Sequence, residues 1–327
     1  MSLQRLLADG VQLGPEYGDG LSSHLPMALV ALHRLGAGEA RLQAFATHYG
    51  SRLPPAPPAQ PWPSGEDWTG RFGDFSSWPV YRSLFTDWLE AEGGEALLQQ
   101  VLPRLMPGCA AVAFHGAIRL AYAVQAGLIS EVADSLAYWA CRYLPLGALP
   151  ERPGRVADPQ PLLRRLHAGV STRPLIADRM ADAARSPALH AEIARLAIDG
   201  QTLQRLARLS AQAYAGSGNF SALHLLTACH AMRVLQVFVD EPLPALRWFW
   251  QAWATGVVAA KLRALPPAPL LPWSRIVPVA LASNDAHLIK LVDSCRAETQ
   301  AYGGDDWRHA ASRAVAAAAS ASSQGAH

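Results

Sequence analysis

The sequence predicts an all-α protein, a single large helical-bundle-like domain with long Pro-rich loops, and three observations carry that expectation. Apolar residues recur at three- and four-residue spacing in "LPMALVALHRLG", "LLQQVLPRLM", "AAVAFHGAIRLAYAVQAG" and "LIKLVDSCRAETQAY", the period of helices with a buried face. Alternating runs, or Val/Ile/Thr-rich runs bounded by turns, are almost absent. Half of the 327 residues are hydrophobic and 17% are charged, enough apolar material for a sizeable core. The expected domain spans residues 1–308. An Ala/Ser-rich tail, 309–327, is expected to begin as helix and fray.

Three segments break the helical pattern: "PPAPPAQPWPSGEDWTGRFGDFSSW" from Pro54, "LPERPGRVADP" from Leu149 and "LPPAPLLPWSR" from Leu265. The first carries Trp62, Trp68, Phe72, Phe75 and Trp78, more large apolar side chains than a flexible linker holds, and is predicted to pack on the helices as a lid or belt. No repeat of about 30 to 45 residues is present, which argues against a solenoid.

The formal charge is +2 and the arginines are scattered among acidic residues, so the chain lacks the basic stripe of a nucleic-acid or membrane-surface partner. Cys109, Cys141, Cys229 and Cys295 lie far apart in apolar stretches without a C-x-x-C pair; buried free thiols and a reducing cytoplasm follow. The start, "MSLQRLLADGVQLGPEYGDG", has no apolar core of a secretory signal. The longest nearly apolar run, "RWFWQAWATGVVAAKLR", falls short of the roughly 20 residues that span a bilayer.

Nucleotide-binding glycine patterns and the G-x-S-x-G elbow are missing, so any chemistry must come from other groups. Of the 11 histidines, His33, His167, His190, His309 and His327 have polar surroundings and read as solvated. Six others lie in apolar helical contexts. His24 opens a helix and His48 ends one before Gly50; His115 is expected mid-helix, sharing its face with Arg119 and Tyr122; His224 and His230 share a helix; His287 stands one turn before Lys290. A lone buried histidine is usually a core residue with a hydrogen-bonded ring. Six in one apolar chain each need a polar partner, and a metal ion would supply one to several at once, as in helix bundles. His224 and His230 lie about 120° and roughly 9 Å apart on a regular helix, so both can line a pocket but not ligate one ion.

Lys261 and Lys290 are the only lysines among 28 basic residues. A lysine can lose its proton when buried, and its neutral amine can ligate, act as a base or add carbon dioxide to form a carbamate; a guanidinium cannot. Two placements are open for Lys290: buried beside His287, or snorkelling from the helix edge to solvent. Lys261, beside Arg263 and a run of prolines, reads as a solvated helix end.

The ordered motifs "SSHLPMALVALHRLGA", "HYGSRLPP", "FHGAIRLAYAVQAG", "LAYWACRYLPL", "NFSALHLLTACHAMRVL" and "NDAHLIKLVDSCRAE" resemble the questin-oxidase-like family over nearly the whole chain, with Ser23 where the family typically reads Asn. The resemblance implies an oxygen-dependent oxidoreductase inserting oxygen into, or opening a ring of, an apolar aromatic polyketide-like substrate, with NADPH as reductant for some members. It further implies a histidine-rich non-haem iron site with a carbamylated lysine, which places metal roles on His24, His115, His224, His287 and Lys290. Mixed imidazole and carboxylate ligation suits Fe(II). In this reading Arg119 and Tyr122 orient the substrate or an oxygen-derived anion, and His230 and His48 support the ligands or move protons. The alternatives are a metal-free helical binding protein for an apolar small molecule and a zinc-dependent hydrolase.

Overall fold

The helical periodicity becomes sixteen α-helices, 65% of the chain, with one two-stranded sheet, in a computed structural model that describes residues 1–152, 154–169 and 171–324. Helix α1 (Leu3–Gly10) leads into a short antiparallel hairpin, β1 (Glu16–Tyr17) and β2 (Leu21–Ser22), in register Glu16 to Ser22 and Tyr17 to Leu21. Its turn uses Gly18 and Gly20 at φ +53° and +85°, a conformation costly for other residues. The helical pattern gave no sign of this hairpin. Then follow α2 (Leu25–Leu35), α3 (Glu39–Gly50), α4 (Trp78–Glu92), α5 (Gly94–Leu105), α6 (His115–Ala126), α7 (Ile129–Cys141) and α8 (Gln160–Leu163). The second half contains α9 (Ile176–Ala183), α10 (Pro187–Ile193), α11 (Thr202–Ser217), α12 (Phe220–Leu235), α13 (Pro242–Ala260), α14 (Trp273–Ala282), α15 (Ala286–Tyr302) and α16 (Asp306–Gln324).

At the centre, α2, α6, α12 and α15 pack in a closed ring, α2 on α6, α6 on α12, α12 on α15 and α15 on α2. Every residue of α12 from Ser221 to Met232 is buried, as expected of a helix covered on all sides. Cross-links show that the four helices run parallel. His24, His115, His224 and His287, all at or near N-termini, meet at one end, while Arg34 and Tyr122, farther along α2 and α6, both reach Asp293 farther along α15. Helices α4 and α7 form a layer outside α6, and α11 and α16 cover the α12–α15 side. The α6–α7 approach requires Gly116: a Cβ there would stand 2.7 Å from the Trp139 side chain.

The first Pro-rich segment is a belt. Trp62 packs on Tyr81 at 5.1 Å, Trp68 on Phe85 at 5.7 Å and Phe72 on Tyr143 at 4.5 Å between ring centroids. It wraps α4 and α7, with Trp78 buried at its end. Pro153 of the second segment and residues 325–327 of the expected tail lie outside the described residues. The compositional boundary at 308/309 falls inside α16, which buries Trp307, Ala310, Ala311, Ala314 and Val315. The four cysteines are buried free thiols. No helix among the described residues is long and apolar enough to cross a membrane.

Candidate active site

Each of the four central helices delivers one histidine to the same end of the ring. His24 is the N-cap residue of α2, His115 the first residue of α6, His287 lies in the first turn of α15, and His224 stands one turn after the first residue of α12. His115 is therefore not mid-helix, because the chain before it turns left-handed. Val112, Ala113 and Phe114 have φ of +43°, +57° and +71°, which costs non-glycine residues about 1–2 kcal/mol each. Strain held by surrounding packing is a mark of functional segments. Here it seats the imidazole, whose Nδ1 lies 2.5 Å from the Val112 carbonyl oxygen.

The rings form a closed set. Centroid distances are 4.7 Å for His24–His115, 4.4 Å for His24–His287, 4.9 Å for His115–His224 and 5.7 Å for His224–His287. His224 Nδ1 pairs with the Phe220 carbonyl oxygen at 2.8 Å, and His287 Nδ1 lies 3.4 Å from Asp285 Oδ1. A neutral ring that donates through Nδ1 keeps its Nε2 lone pair free. His115 Nε2 is buried without a hydrogen-bond partner. Burial, then Lys290 and the neighbouring imidazoles, pushes His24 well below its ordinary range; burial, then His224 and Lys290, does the same to His115. His224 falls to about 3 for the same reasons, burial first and then His287.

Lys290 is 1% exposed, so it does not snorkel. Its Nζ lies 3.9 Å from Met27 Sδ, and burial pushes it down to about 7. Near neutral pH a substantial fraction of this amine carries no charge. Lys261 is exposed at the end of α13, as the sequence suggested.

A cavity of about 300 Å³ opens onto the four rings. The hairpin (Leu21, Ser22) and the start of α9 (Leu175, Ile176) cover it, and Phe220, 53% exposed, stands at its mouth against His224 and His287 at 4.7 and 4.6 Å. The hairpin is tied down by Ser22 Oγ to Tyr138 Oη at 2.7 Å and by Tyr138 Oη donating to Glu16 at 2.9 Å. A larger groove of about 830 Å³ lies between the hairpin and the Pro-rich belt. It has no histidine or lysine, so size does not mark the site; the titratable cluster does.

Chemically the donor set suits a borderline metal such as iron, which takes neutral imidazoles. With metal–nitrogen bonds of about 2.0–2.1 Å, imidazoles sharing one ion have centroids roughly 4.5–5.3 Å apart, a range that the observed separations bracket. Yet no three His, Cys, Asp or Glu side chains among the described residues could hold a metal ion as they stand.

Four other residues expected at the site are elsewhere. Arg119 is buried between Glu131, bidentate at 2.7 and 3.0 Å, and Asp134. Tyr122 lies two turns below His115, about 10 Å along the axis, and its hydroxyl donates to Asp293 at 3.1 Å. His230 pairs with Glu298 at 2.7 Å. None of the three lines the cavity. His48 is on the surface beside Arg52, at 3.3 Å. Helical spacing placed Arg119 on the face of His115, but a long guanidinium seeks carboxylates, and two stand on α7. In turn, Phe220, Arg179 and the hairpin were missed. "NFSALH" held a legible sign for the first, since Asn219 caps α12 through Ser221 and Ala222 and fixes Phe220 one turn before His224; the hairpin and Arg179 have only tertiary reasons to be there.

No curated protein matches this chain. The sequence profile of the Questin oxidase-like family matches residues 21–295, a window that opens on the hairpin and closes in α15, enclosing all four imidazoles and Lys290. The family description points to an oxidoreductase acting on a small molecule with oxygen. The chain belongs to the Questin oxidase-like family.

Proposed function

We propose that the chain is an oxygen-dependent oxidoreductase that inserts oxygen into, or opens a ring of, a compact aromatic substrate in the histidine-lined cavity, with iron held by His24, His115, His224, His287 and Lys290. The observation that supports this most is the gathering of four imidazoles at one cavity wall, those of His24, His115 and His224 buried, with the buried Lys290 one turn past His287. Iron there would supply the one-electron chemistry that dioxygen needs to react with a closed-shell aromatic. The residues do the rest. Val112, Phe220 and Asp285 fix three rings through Nδ1, which leaves Nε2 lone pairs for the ligand. Leu21, Phe220 and Ile176 give the substrate an apolar seat and exclude water.

Lys290 has a specific task in this reading. Among the described residues no Asp or Glu lines the cavity, and the Asp285 side chain is 59% exposed. A dication among neutral imidazoles is better held with an anionic donor, and the chain can make one: the Lys290 amine adds carbon dioxide, forming an N–C bond and releasing one proton, to give a carbamate. Where oxygen insertion needs two further electrons, an external reductant such as NADPH supplies them.

The test is anaerobic Fe(II) reconstitution of chelator-free protein, followed by metal analysis and oxygen uptake with hydroxylated anthraquinones. Near-stoichiometric iron and substrate-dependent oxygen consumption are expected; iron below about 0.2 per folded chain overturns the reading. The lack of a preformed cage favours, as the second reading, a metal-free binding protein for an apolar small molecule, and that result would select it.

A further inference from the structure

The cavity is ringed by the positive ends of helices. Its wall is made by the starts of α2 (His24), α6 (His115), α9 (Ile176), α12 (Phe220) and α15 (His287). In an antiparallel bundle such ends alternate with negative ones; in this parallel ring they add, each carrying roughly half a positive charge. Among the described residues no Asp or Glu lines the cavity, and the one charged residue that does is Arg179. Its guanidinium donates to the carbonyl oxygens of Pro174 at 2.7 Å, Arg173 at 3.1 Å and Ala259 at 3.3 Å, and to Ser221 Oγ at 3.3 Å. All four acceptors are neutral. The nearby acids are engaged elsewhere: Asp178 with Arg173, Asp182 with Ser171, and Asp285 with the backbone and ring of His287. A separate sign of a missing ligand is His115 Nε2, buried in a residue of the cavity wall with no partner; with Nδ1 on the Val112 carbonyl oxygen it accepts from a donor or a metal and does not itself hold the anion.

We propose that this cavity selects anions: its substrate carries a carboxylate or a phenolate on a compact apolar body, with the ionised oxygen drawn to Arg179 and the converging helix N-termini. The apolar remainder lies against Leu21, Ile176 and Phe220. A volume of about 300 Å³ is at the small end for ligand sites and limits that body to a few rings. The inference rests on the cavity being the substrate site of the reaction proposed above, but its test requires neither iron nor turnover.

Binding to the metal-free full chain is measured by calorimetry with shape-matched probes: 1-naphthoate, 1-naphthalenemethanol and 1-naphthylmethylammonium, and the pair pentafluorophenolate and pentafluorobenzyl alcohol. Each anion is expected to bind at least about tenfold tighter than its neutral counterpart, as a charge-assisted contact provides, and the ammonium weakest. Whichever pair shows the larger preference identifies carboxylate or phenolate as the fitting head group. Arg179→Gln should remove most of the preference, weakening the anions far more than the alcohols, and Arg179→Lys should restore part of it. Because Arg179 ties three elements together, circular dichroism is checked first; if Arg179→Gln unfolds, the wild-type ratios and their decline with salt still decide. Equal binding of anion and alcohol, tighter binding of the ammonium, or no binding by any probe overturns the inference. Failure of iron uptake with anion preference intact would remove the oxidase reading alone.

Discussion

Two buried polar clusters share the central ring of helices, and they are built on opposite rules. At the N-terminal end, His24, His115, His224 and His287 face a cavity with no carboxylate among its described lining residues, Lys290 is buried one turn past His287, and His115 Nε2 has no hydrogen-bond partner. About two turns below and on the α7 side, charge meets charge: Arg119 with Glu131 and Asp134, Arg82 with Asp134, Arg34 with Asp293, and Arg233 and His230 with Glu298. Both sets are polar side chains in apolar helices. The lower one sets carboxylates against its cations, although Arg119 Nη1 and Asp134 Oδ1 make no hydrogen bond; the upper one has no carboxylate on its cavity wall. Missing counter-charge, rather than polarity or an unpaired atom, is what separates the cavity wall from a strut.

The comparison predicts opposite signs when each cluster is cut. Arg119→Met leaves Glu131 and Asp134 buried against Arg82 alone, and should cost about 3–5 kcal/mol of folding stability, the usual result of removing one partner from a buried ion pair; urea unfolding measures it. A loss under about 1 kcal/mol would mean that the lower cluster is not the strut described. Lys290→Met removes a buried amine whose named polar contact is a thioether. It should be neutral or stabilising in metal-free protein by about 1–3 kcal/mol at pH 6, while iron uptake is lost. The sign depends on pH. Lys290 titrates near 7 when folded against an ordinary 10.5, so between these values the unfolded chain holds a proton that the folded chain lacks. Its penalty therefore grows as pH falls through that window and is complete below about 7. Lys290→Arg, which keeps the charge but cannot shed it, should lose iron and also destabilise.

A weaker effect reads the imidazoles themselves. His224 titrates near 3 when folded against an ordinary 6.5. On acidification the unfolded chain takes up a proton that the folded one refuses, so stability is lost as pH falls from about 6.5 toward 3. Each such histidine adds about 1.4 kcal/mol per pH unit in that window. His224→Gln should flatten the pH dependence of metal-free unfolding by about one proton, and an unchanged slope would mean that the ring is already charged in the fold.

How much of this was legible follows from the kind of information each feature needs. Helical period located the central helices because their buried faces repeat along the chain. It located His287 and Lys290 on one face for the same reason. The family resemblance, not the period, distinguished His24, His115, His224 and His287 from His48 and His230, whose apolar neighbours look alike. His230 finds Glu298 across 68 residues and Arg119 finds α7; such pairings belong to tertiary structure. The left-handed run Val112–Phe114 broke the expectation of a mid-helix His115 because nothing in "VAF" signals positive φ. The hairpin over the cavity was too short for a strand pattern.

The smallest expected effect bounds the comparison from outside. His48 was grouped with the site because it ends an apolar helix, but it is exposed and its ring contacts Arg52. An exposed imidazole near a helix C-terminus contributes about 0.3–1 kcal/mol at most, and only when charged. His48→Ala should therefore shift stability by less than about 0.5 kcal/mol at pH 8 and leave iron content and anion binding at wild-type levels. Lys261→Arg belongs with it. Lys261 ends α13 at φ +50°, and its amine donates to the Ser171 carbonyl oxygen, a contact that a guanidinium can reproduce. The two variants are measured beside Lys290→Arg by metal content per folded chain. If either loses iron to the same extent, the loss follows from disturbing helix ends in general, and the contrast between the cluster without counter-charge and its surroundings does not hold.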